Sequence, residues 1–193
     1  PPALRDLSGR AALPEDRGTS RNPPGRVVTS SVTRPVKAYL AGAIEHSADG
    51  GRGWREDLAV FLREELRHDV YDPAADEKKS LTDEEVAGFR RWKLEDPTRF
   101  RDAVRKIIAF DLDRIERDSD YVVALWDRAA AAGGGTAAEV TLAHRLGKPV
   151  YLLLAMPAAD ASGWVLAAST EVFENMEGLR AHLRQRYPSA PGR

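Results

Sequence analysis

The 193-residue chain contains no cysteine, and aromatic residues make up only 7% of it. Without cysteine it cannot form a disulfide, hold a thiolate zinc site or use a thiol nucleophile. Charge of one sign is also lacking, because 29 Lys and Arg face 30 Asp and Glu for a formal net charge of −1. A nearly neutral chain is poorly suited to coating nucleic acid or an anionic membrane. We therefore expect neither as a partner.

The sequence also lacks a long uninterrupted hydrophobic run. Its longest apolar region, residues 150–168, is broken by Pro157 and Asp160, so it is not a membrane-spanning candidate. Residues 1–34 are rich in Arg and Pro and contain no apolar core of a signal peptide. We predict that they form a disordered extension, that residues 35–188 form one domain, and that residues 189–193 are a flexible tail. A cytoplasmic location is expected.

Short apolar runs alternate with amphipathic segments along the predicted domain. The predicted strands are residues 36–41, 69–72, 121–126, 149–154 and 170–173. The predicted helices are residues 52–67, 82–93, 97–117, 136–146 and 176–186. This alternation predicts an α/β fold, a flavodoxin-like or Rossmann-like three-layer sandwich whose five-stranded parallel sheet has the order 2-1-3-4-5. Residues 74–98 are predicted to be an inserted helical lid or interface segment, and Gly147 is placed to cap the fourth helix.

Two long, glycine-rich loops mark the expected ligand site. Parallel sheets bind ligands beyond the carboxyl ends of their strands, where the strand order reverses. The loops at that point are residues 42–54 and 127–135, and the second leads into a helix N-terminus that favours anions. We expect substrate contacts from nine residues: Gly42, Ile44, Asp49, Trp54, Trp126, Asp127, Gly133, Gly135 and Thr136. For the two tryptophans, packing in the core is the alternative.

Two carboxylates occupy positions where apolar side chains are expected. Asp111 falls inside the apolar arc of the predicted helix 97–117, so it must be paired, shifted in pKa or placed at a pocket. A plain hydrogen bond to a loop would also explain it. Glu139 lies among the core-facing residues of the next helix, directly after the glycine-rich loop. It could form a capping box with Thr136, or point into the cleft as a nucleophile that the helix N-terminus keeps ionised.

The remaining motifs carry little chemistry. The four histidines show no metal-ligand spacing, and no GxxxxGK[ST] phosphate loop is present, so neither a metal nor a cofactor is expected. Tyr39 lies on the first predicted strand, just before Gly42. Its hydroxyl could reach the cleft, and a role as an ordinary core tyrosine is the alternative.

Several of these segments, taken in order, resemble the nucleoside 2-deoxyribosyltransferase superfamily. The segments are residues 39–44 (YLAGAI), Asp111 ahead of Ile115 and residues 119–120 (SD), residues 135–139 (GTAAE) and residues 147–150 (GKPV). The resemblance extends from about Val36 to the last predicted helix, including residues 163–164 (GW), and excludes the first 34 residues.

The resemblance implies an enzyme that cleaves an N-glycosidic bond of a nucleoside or nucleotide. It implies that Glu139 attacks the anomeric carbon, that Asp111 assists proton handling, and that Tyr39 orients the nucleophile. A covalent glycosyl-enzyme would then pass the sugar to another base or to water. A homo-oligomer, a dimer or larger, is also implied. Six residues before the nucleophile, transferases of the superfamily carry Asp and nucleotide hydrolases carry Ser; this chain has Gly133.

Two other functions are compatible with the same residues. The segment 134–139 (GGTAAE) is also similar to that of nucleoside-monophosphate phosphoribohydrolases, although their further glycine-rich phosphate loop is missing here. A non-catalytic nucleotide-binding or sensing module on the same fold is the alternative from a different class. The sequence leaves open the choice between transfer and hydrolysis, the base, and the phosphorylation state of the substrate.

Overall fold

A computed structural model describes residues 34–188, which form a sandwich of helices around one parallel sheet. The strands are β1 (Lys37–Ala41), β2 (Asp69–Tyr71), β3 (Tyr121–Trp126), β4 (Val150–Leu154) and β5 (Glu171–Phe173). All neighbouring pairs are parallel, and their order is β2-β1-β3-β4-β5. The predicted α/β class and strand order 2-1-3-4-5 are thus confirmed.

Seven α-helices connect and cover the strands. They are α1 (Arg52–Glu64), α2 (Asp83–Glu95), α3 (Pro97–Asp113), α4 (Arg128–Ala132), α5 (Gly135–Arg145), α6 (Gly163–Ala168) and α7 (Met176–Arg186). A π-helical turn, Arg114–Asp118, continues α3, and a 3-10 turn, Ala158–Asp160, follows β4. Within residues 34–188, no helix is both long and apolar enough to cross a membrane.

The sheet is buried on both faces because successive side chains of a strand point to opposite sides. In β1, Tyr39 and Ala41 pack toward the π turn, α5 and α6, whereas Ala38 and Leu40 pack toward α1 and α7. Strand β3 alternates in the same way. Each fully buried Leu or Val contributes roughly 1.5–3 kcal/mol to folding, so the two layers give β1 and β3 a fixed register.

The ends of several elements differ from the sequence-based prediction. The helix expected to run uninterrupted through residue 117 changes to π geometry after Asp113. The stretch 127–135, predicted as a loop, contains the short helix α4, because Asp127 accepts a hydrogen bond from the amide of Ala130 and caps it. Helix α6 was not predicted, since six residues are too few to show a helical hydrophobic period.

Gly147 and Lys148, which lie just before β4, complete the hydrogen bonding at the C-terminal ends of α5 and of the π turn. Gly147 has a φ of 69°, and the amide of Lys148 donates to the carbonyl of Ala143, as in a Schellman motif. The predicted cap at Gly147 is therefore present. The Lys148 ammonium, Nζ, donates to the carbonyls of Ile115, Glu116 and Ser119 at 2.6–2.7 Å. These bonds satisfy carbonyl groups that the end of the π turn leaves without a helical partner.

The segment predicted as an insertion, residues 74–98, forms a wall beside the sheet. Its helix α2 begins with a capping box: the Thr82 hydroxyl accepts from the Glu85 amide, and the Glu85 carboxylate accepts from the Thr82 amide. Helix α3 follows after Asp96, whose side chain caps it, and packs beside α2. The predicted extension lies outside the described residues except for Arg34, which forms an ion pair with Asp120. Residues 189–193 lie outside them as well.

Candidate active site

A cleft of about 990 Å³ opens at the carboxyl ends of β1 and β3, where the strand order reverses. This is the position at which sheets of this kind bind ligands. The loop after β1 and the Gly133–Thr136 stretch form one side of the cleft, and residues of the insertion and α3 form the other. Both Glu139 and Asp111 line it. The cleft lies at the upper end of the 300–1,000 Å³ that ligand pockets commonly have.

Tyr39 and Glu139 are joined by a hydrogen bond beneath this cleft. Tyr39 is fully buried in the middle of β1, and its side chain points toward α5 because of the strand's alternation. Its hydroxyl donates to Glu139 Oε1 over 2.6 Å. The alternative of a capping box is not realised, since Gly134 is the N-cap of α5, no side chain caps that end, and Thr136 already lies within the helix.

The Glu139 carboxyl is not held in its ionised form as firmly as the helix N-terminus alone suggests. Burial raises its pKa to about 7, and the nearby charge of Asp111 acts in the same direction. The hydrogen bond from Tyr39 and the charges of Lys79 and Arg55 oppose this rise. Burial likewise raises the pKa of Tyr39 far above its ordinary value, so this phenol stays protonated and donates. Glu139 is therefore poised to titrate near neutral pH.

Asp111 is buried within the cleft wall, as its position in the apolar arc of α3 predicts. The Lys79 ammonium is 2.5 Å from its Oδ2 atom. The pKa of Asp111 lies above its ordinary value, because burial raises it by more than the charge and hydrogen bond of Lys79 and the Tyr71 hydroxyl lower it. Asp111 thus lines the cleft and is also bonded to a loop side chain. The two explanations offered from the sequence, a position at a pocket and a bond to a loop, are therefore compatible.

Arg55 shapes the loop that follows β1. Its fully buried guanidinium donates to the carbonyls of Leu40, Gly42 and Gly51 at 2.7–3.1 Å and lies 3.5 Å from Asp72. The loop packs closely around it: a Cβ on Gly51, where φ is 72°, would lie 2.2 Å from the Arg55 side chain. Burying a guanidinium without acceptors would cost free energy of folding. The hydrogen bonds to these carbonyl groups offset that cost. Arg55 therefore fixes the path of one side of the cleft.

The other predicted substrate contacts divide into two groups. Five of them line the cleft: Gly42, Ile44, Gly133, Gly135 and Thr136. The remaining four lie elsewhere. Asp49 is exposed and accepts from the amides of Gly51 and Gly53 at the start of α1, while Trp54 packs against Gly42.

The last two of these four are Trp126 and Asp127. Trp126 is 3% exposed and belongs to the core, as the alternative for it proposed. Asp127 caps α4 and lines a neighbouring surface groove with His46. These four residues thus lie outside the lining of the cleft, and their contact with a substrate stays a prediction. For Asp127 and Asp49 the reason is the same, since each carboxylate is engaged by a helix start or turn.

The sequence analysis missed two charged residues of this region. Arg55 could have been found, because it lies on the buried arc of α1 with Leu58, Ala59 and Leu62, as Asp111 does on α3. Lys79 carries no such signal, since it belongs to an irregular segment where no periodicity separates buried from exposed positions. Across residues 34–188, no group of three or more His, Asp or Glu side chains is arranged to hold a metal ion.

Two solved structures share this fold over most of the chain. One is a 2-deoxyribosyltransferase from the psychrotolerant bacterium Bacillus psychrosaccharolyticus, with 18% identity, 82% of this chain and 100% of that chain covered, and a TM-score of 0.49. The other is a CMP N-glycosidase from Clostridium botulinum, with 18% identity and a TM-score of 0.47. The alignment covers 78% of this chain and 98% of that one. At this identity, the likeness is one of fold.

No protein-family model matches the sequence, and no curated protein sequence does.

Proposed function

We propose that the protein cleaves the N-glycosidic bond of a nucleoside or nucleotide, with Glu139 as the nucleophile. The observation that carries this proposal is the 2.6 Å hydrogen bond from the Tyr39 hydroxyl to Glu139 Oε1 at the edge of the cleft. A phenol that stays protonated orients the carboxylate without neutralising it, and the second oxygen remains available for attack. The motif resemblance of residues 39–44 and 135–139 supports the same assignment.

The reaction has two displacements. The Glu139 carboxylate forms a bond to the anomeric carbon while the bond from that carbon to the base nitrogen breaks. The electron pair goes to the base, which takes up a proton as it leaves. A second base or a water molecule then attacks the anomeric carbon, gives up a proton to Asp111 and releases Glu139 with its carboxylate restored; Asp111 returns the proton to solvent. We assign Asp111 to proton handling as the ionised acceptor of that proton, because it lines the same cleft as Glu139.

Gly133 bears on the choice between transfer and hydrolysis. At this position, six residues before Glu139, the chain supplies no side chain, and the nearest atom to an added Cβ would be the His46 ring at 3.5 Å. Gly133 itself therefore supplies no side chain to orient either an acceptor base or a water molecule. The proposal accordingly covers both outcomes, which the acceptor dependence of the reaction will distinguish.

We further propose that the enzyme is a homo-oligomer. Two apolar side chains of the insertion and α3 are open to solvent, with Leu94 90% and Ile108 51% exposed. Ile108 also lines the cleft, so the proposal rests on the motif resemblance, with Leu94 as the side chain that a subunit contact would bury. Light scattering coupled to size-exclusion chromatography will give the mass in solution, and a monomer across the micromolar range would contradict this part of the proposal.

The deciding experiment is a chromatographic assay on a panel of ribo- and deoxynucleosides and their monophosphates. Each substrate is incubated with and without a free acceptor base, beside Glu139→Gln and the control Glu56→Gln, which changes an exposed carboxylate of α1. A new nucleoside that needs the acceptor identifies a transferase; free base formed without it identifies a hydrolase. Glu139→Gln must abolish either reaction. Ligand binding without turnover in the unaltered protein would favour the non-catalytic binding module instead.

A further inference from the structure

A buried ion pair connects the insertion to the cleft. Lys79 lies in the segment between β2 and α2, yet its ammonium contacts Asp111 with side-chain exposures of 9% and 12%. Its neighbour Lys78 pairs with Asp83 at exposures of 71% and 86%. Burying an ion pair commonly costs more in desolvation than the attraction returns, so stability alone is a weak explanation for it. A role in the cleft that Lys79 lines is the better one.

The backbone around Lys79 is built to hold the ammonium in place. Lys79 has a φ of 45°, in the left-handed region that non-glycine residues seldom occupy. Its amide donates to Asp76 Oδ1 over 3.0 Å, and the Tyr71 hydroxyl at the end of β2 donates to Asp76 Oδ2 over 3.2 Å. The turn is thereby tied to the sheet, and Lys79 is presented to the cleft from a fixed position.

Asp111 uses only one of its two oxygens. Its Oδ2 atom accepts from Lys79, whereas its Oδ1 atom is buried with no hydrogen-bond partner in the part of the chain that the structure describes. The residue is 8% exposed and lines the cleft. An unpartnered buried carboxylate oxygen costs free energy until a donor reaches it. A ligand in the cleft is the group that can supply this donor.

We propose that Lys79 is a positioning residue, which keeps Asp111 ionised and turned so that Oδ1 accepts a hydrogen bond from an N–H or O–H of the substrate. The nature of the substrate rests on the proposed function, but the ion pair itself does not. A substrate without a donor at this point would leave Oδ1 unpaired and be discriminated against. The insertion therefore contributes to the chemistry of the cleft as well as to its wall.

The charged groups around Asp111 determine what happens when Lys79 is replaced. The Tyr71 hydroxyl, at the end of β2, favours the charged form of Asp111. Asp76 faces Asp111 from the turn after β2, and Glu139, bonded to Tyr39, lies across the cleft. Both carboxylates disfavour a charge on Asp111, as does burial. Without the ammonium, Asp111 will bind its proton at a higher pH and become a donor where an acceptor is needed.

The test follows the side-chain carboxyl carbon of Asp111 by NMR in protein labelled with 13C-aspartate, the resonance being assigned with Asp111→Asn. Lys79→Met removes the charge but keeps the length, Lys79→Arg retains the charge, and Lys78→Met is the matched surface control. We expect the Asp111 midpoint to rise by at least about one pH unit in Lys79→Met. In Lys79→Arg the Asp111 midpoint should return most of the way to its value in the unaltered protein, and in Lys78→Met it should equal that value. An unmoved midpoint in a folded Lys79→Met protein would overturn the proposal.

Kinetics separate this inference from the proposed function. If the unaltered enzyme cleaves a nucleoside, Lys79→Met should lower kcat/KM at pH 7 by at least about tenfold, with recovery in Lys79→Arg. Loss of activity in Glu139→Gln with full activity in Lys79→Met would refute the role of Lys79 and leave the nucleophile intact. If no nucleoside is cleaved at all, the proposed function fails, whereas the NMR titration still decides whether Lys79 keeps Asp111 ionised.

Discussion

The Tyr39 hydroxyl and the Glu139 carboxylate are separated by 100 residues in sequence and by 2.6 Å in the fold. One belongs to the interior strand β1 and the other to the second turn of α5, and both lie where the strand order of the sheet reverses. The contact joins a donor that stays protonated to a carboxyl whose pKa burial raises to about 7. Several measurable consequences depend on this pair and on the residues that hold the cleft around it.

The pH dependence of the reaction should report Glu139. A nucleophilic carboxylate must be ionised, so kcat/KM is expected to fall as the pH is lowered through about 7. Tyr39→Phe removes a hydrogen bond that favours the charged form, so the acid limb should move to higher pH, with part of the lost activity regained in alkali. Tyr187→Phe, which changes a distant phenol paired with Tyr151, is the control. An acid limb that stays in place in Tyr39→Phe would contradict the assignment.

The stability of the protein should depend on the same group with a definite sign. The folded-state pKa of Glu139, about 7, exceeds its ordinary value of 4.5. The stabilising contribution is therefore fully present below pH 4.5 and is lost as the pH rises through 7. The loss between the acid and the alkaline limit is about 3 kcal/mol, since a factor of ten in proton affinity is about 1.4 kcal/mol.

Glu139→Gln should consequently raise the melting temperature more at pH 8 than at pH 5. Glu56→Gln, on the exposed face of α1, should show no such difference between the two pH values. Equal melting temperatures for Glu139→Gln and the unaltered protein at pH 8 would mean that ionisation of the buried carboxyl does not destabilise the fold. Thermal unfolding followed by circular dichroism is sufficient to distinguish these outcomes.

Arg55 should be necessary for both folding and activity. Arg55→Met leaves the carbonyls of Leu40, Gly42 and Gly51 without their buried donor, so we expect a loss of about 3–5 kcal/mol. Arg52→Met, three residues earlier, removes only an exposed ion pair with Glu77 and should cost about 1 kcal/mol or less. Urea unfolding of both variants makes the comparison. Similar losses in the two would show that the buried guanidinium does not hold the loop after β1.

Lys148 should stabilise the junction between the π turn and β3. Lys148→Met removes a charged donor from three carbonyl groups, and hydrogen bonds to charged groups contribute about 1.5–3 kcal/mol. We expect a loss of about 2–4 kcal/mol in urea unfolding. Lys106→Met breaks an exposed pair with Glu85 and serves as the control. Because Lys148 lies outside the cleft lining, the KM of the remaining folded enzyme should change little.

The layers of the fold and the order of its strands follow from local sequence patterns. Periods of two and of 3.6 residues reflect burial along a strand or helix, so β3 and α7 could be delimited to the residue. The same periodicity singled out Asp111 and Glu139, because a carboxylate on an apolar arc conflicts with the pattern around it. Local rules also located Gly147, where the chain needs a left-handed residue to end α5.

Which side chains contact one another cannot be read from local patterns and depends on the folded arrangement of the elements. Whether Thr136 caps α5 or Tyr39 binds Glu139 depends on contacts between elements far apart in the chain. Lys79 reaches Asp111 from an irregular segment, where sequence carries no signal of direction. Trp126 points into the core and Asp127 caps a helix, although both border the predicted ligand loop. Periodicity records how buried a position is, whereas a site depends on partners that only folding brings together.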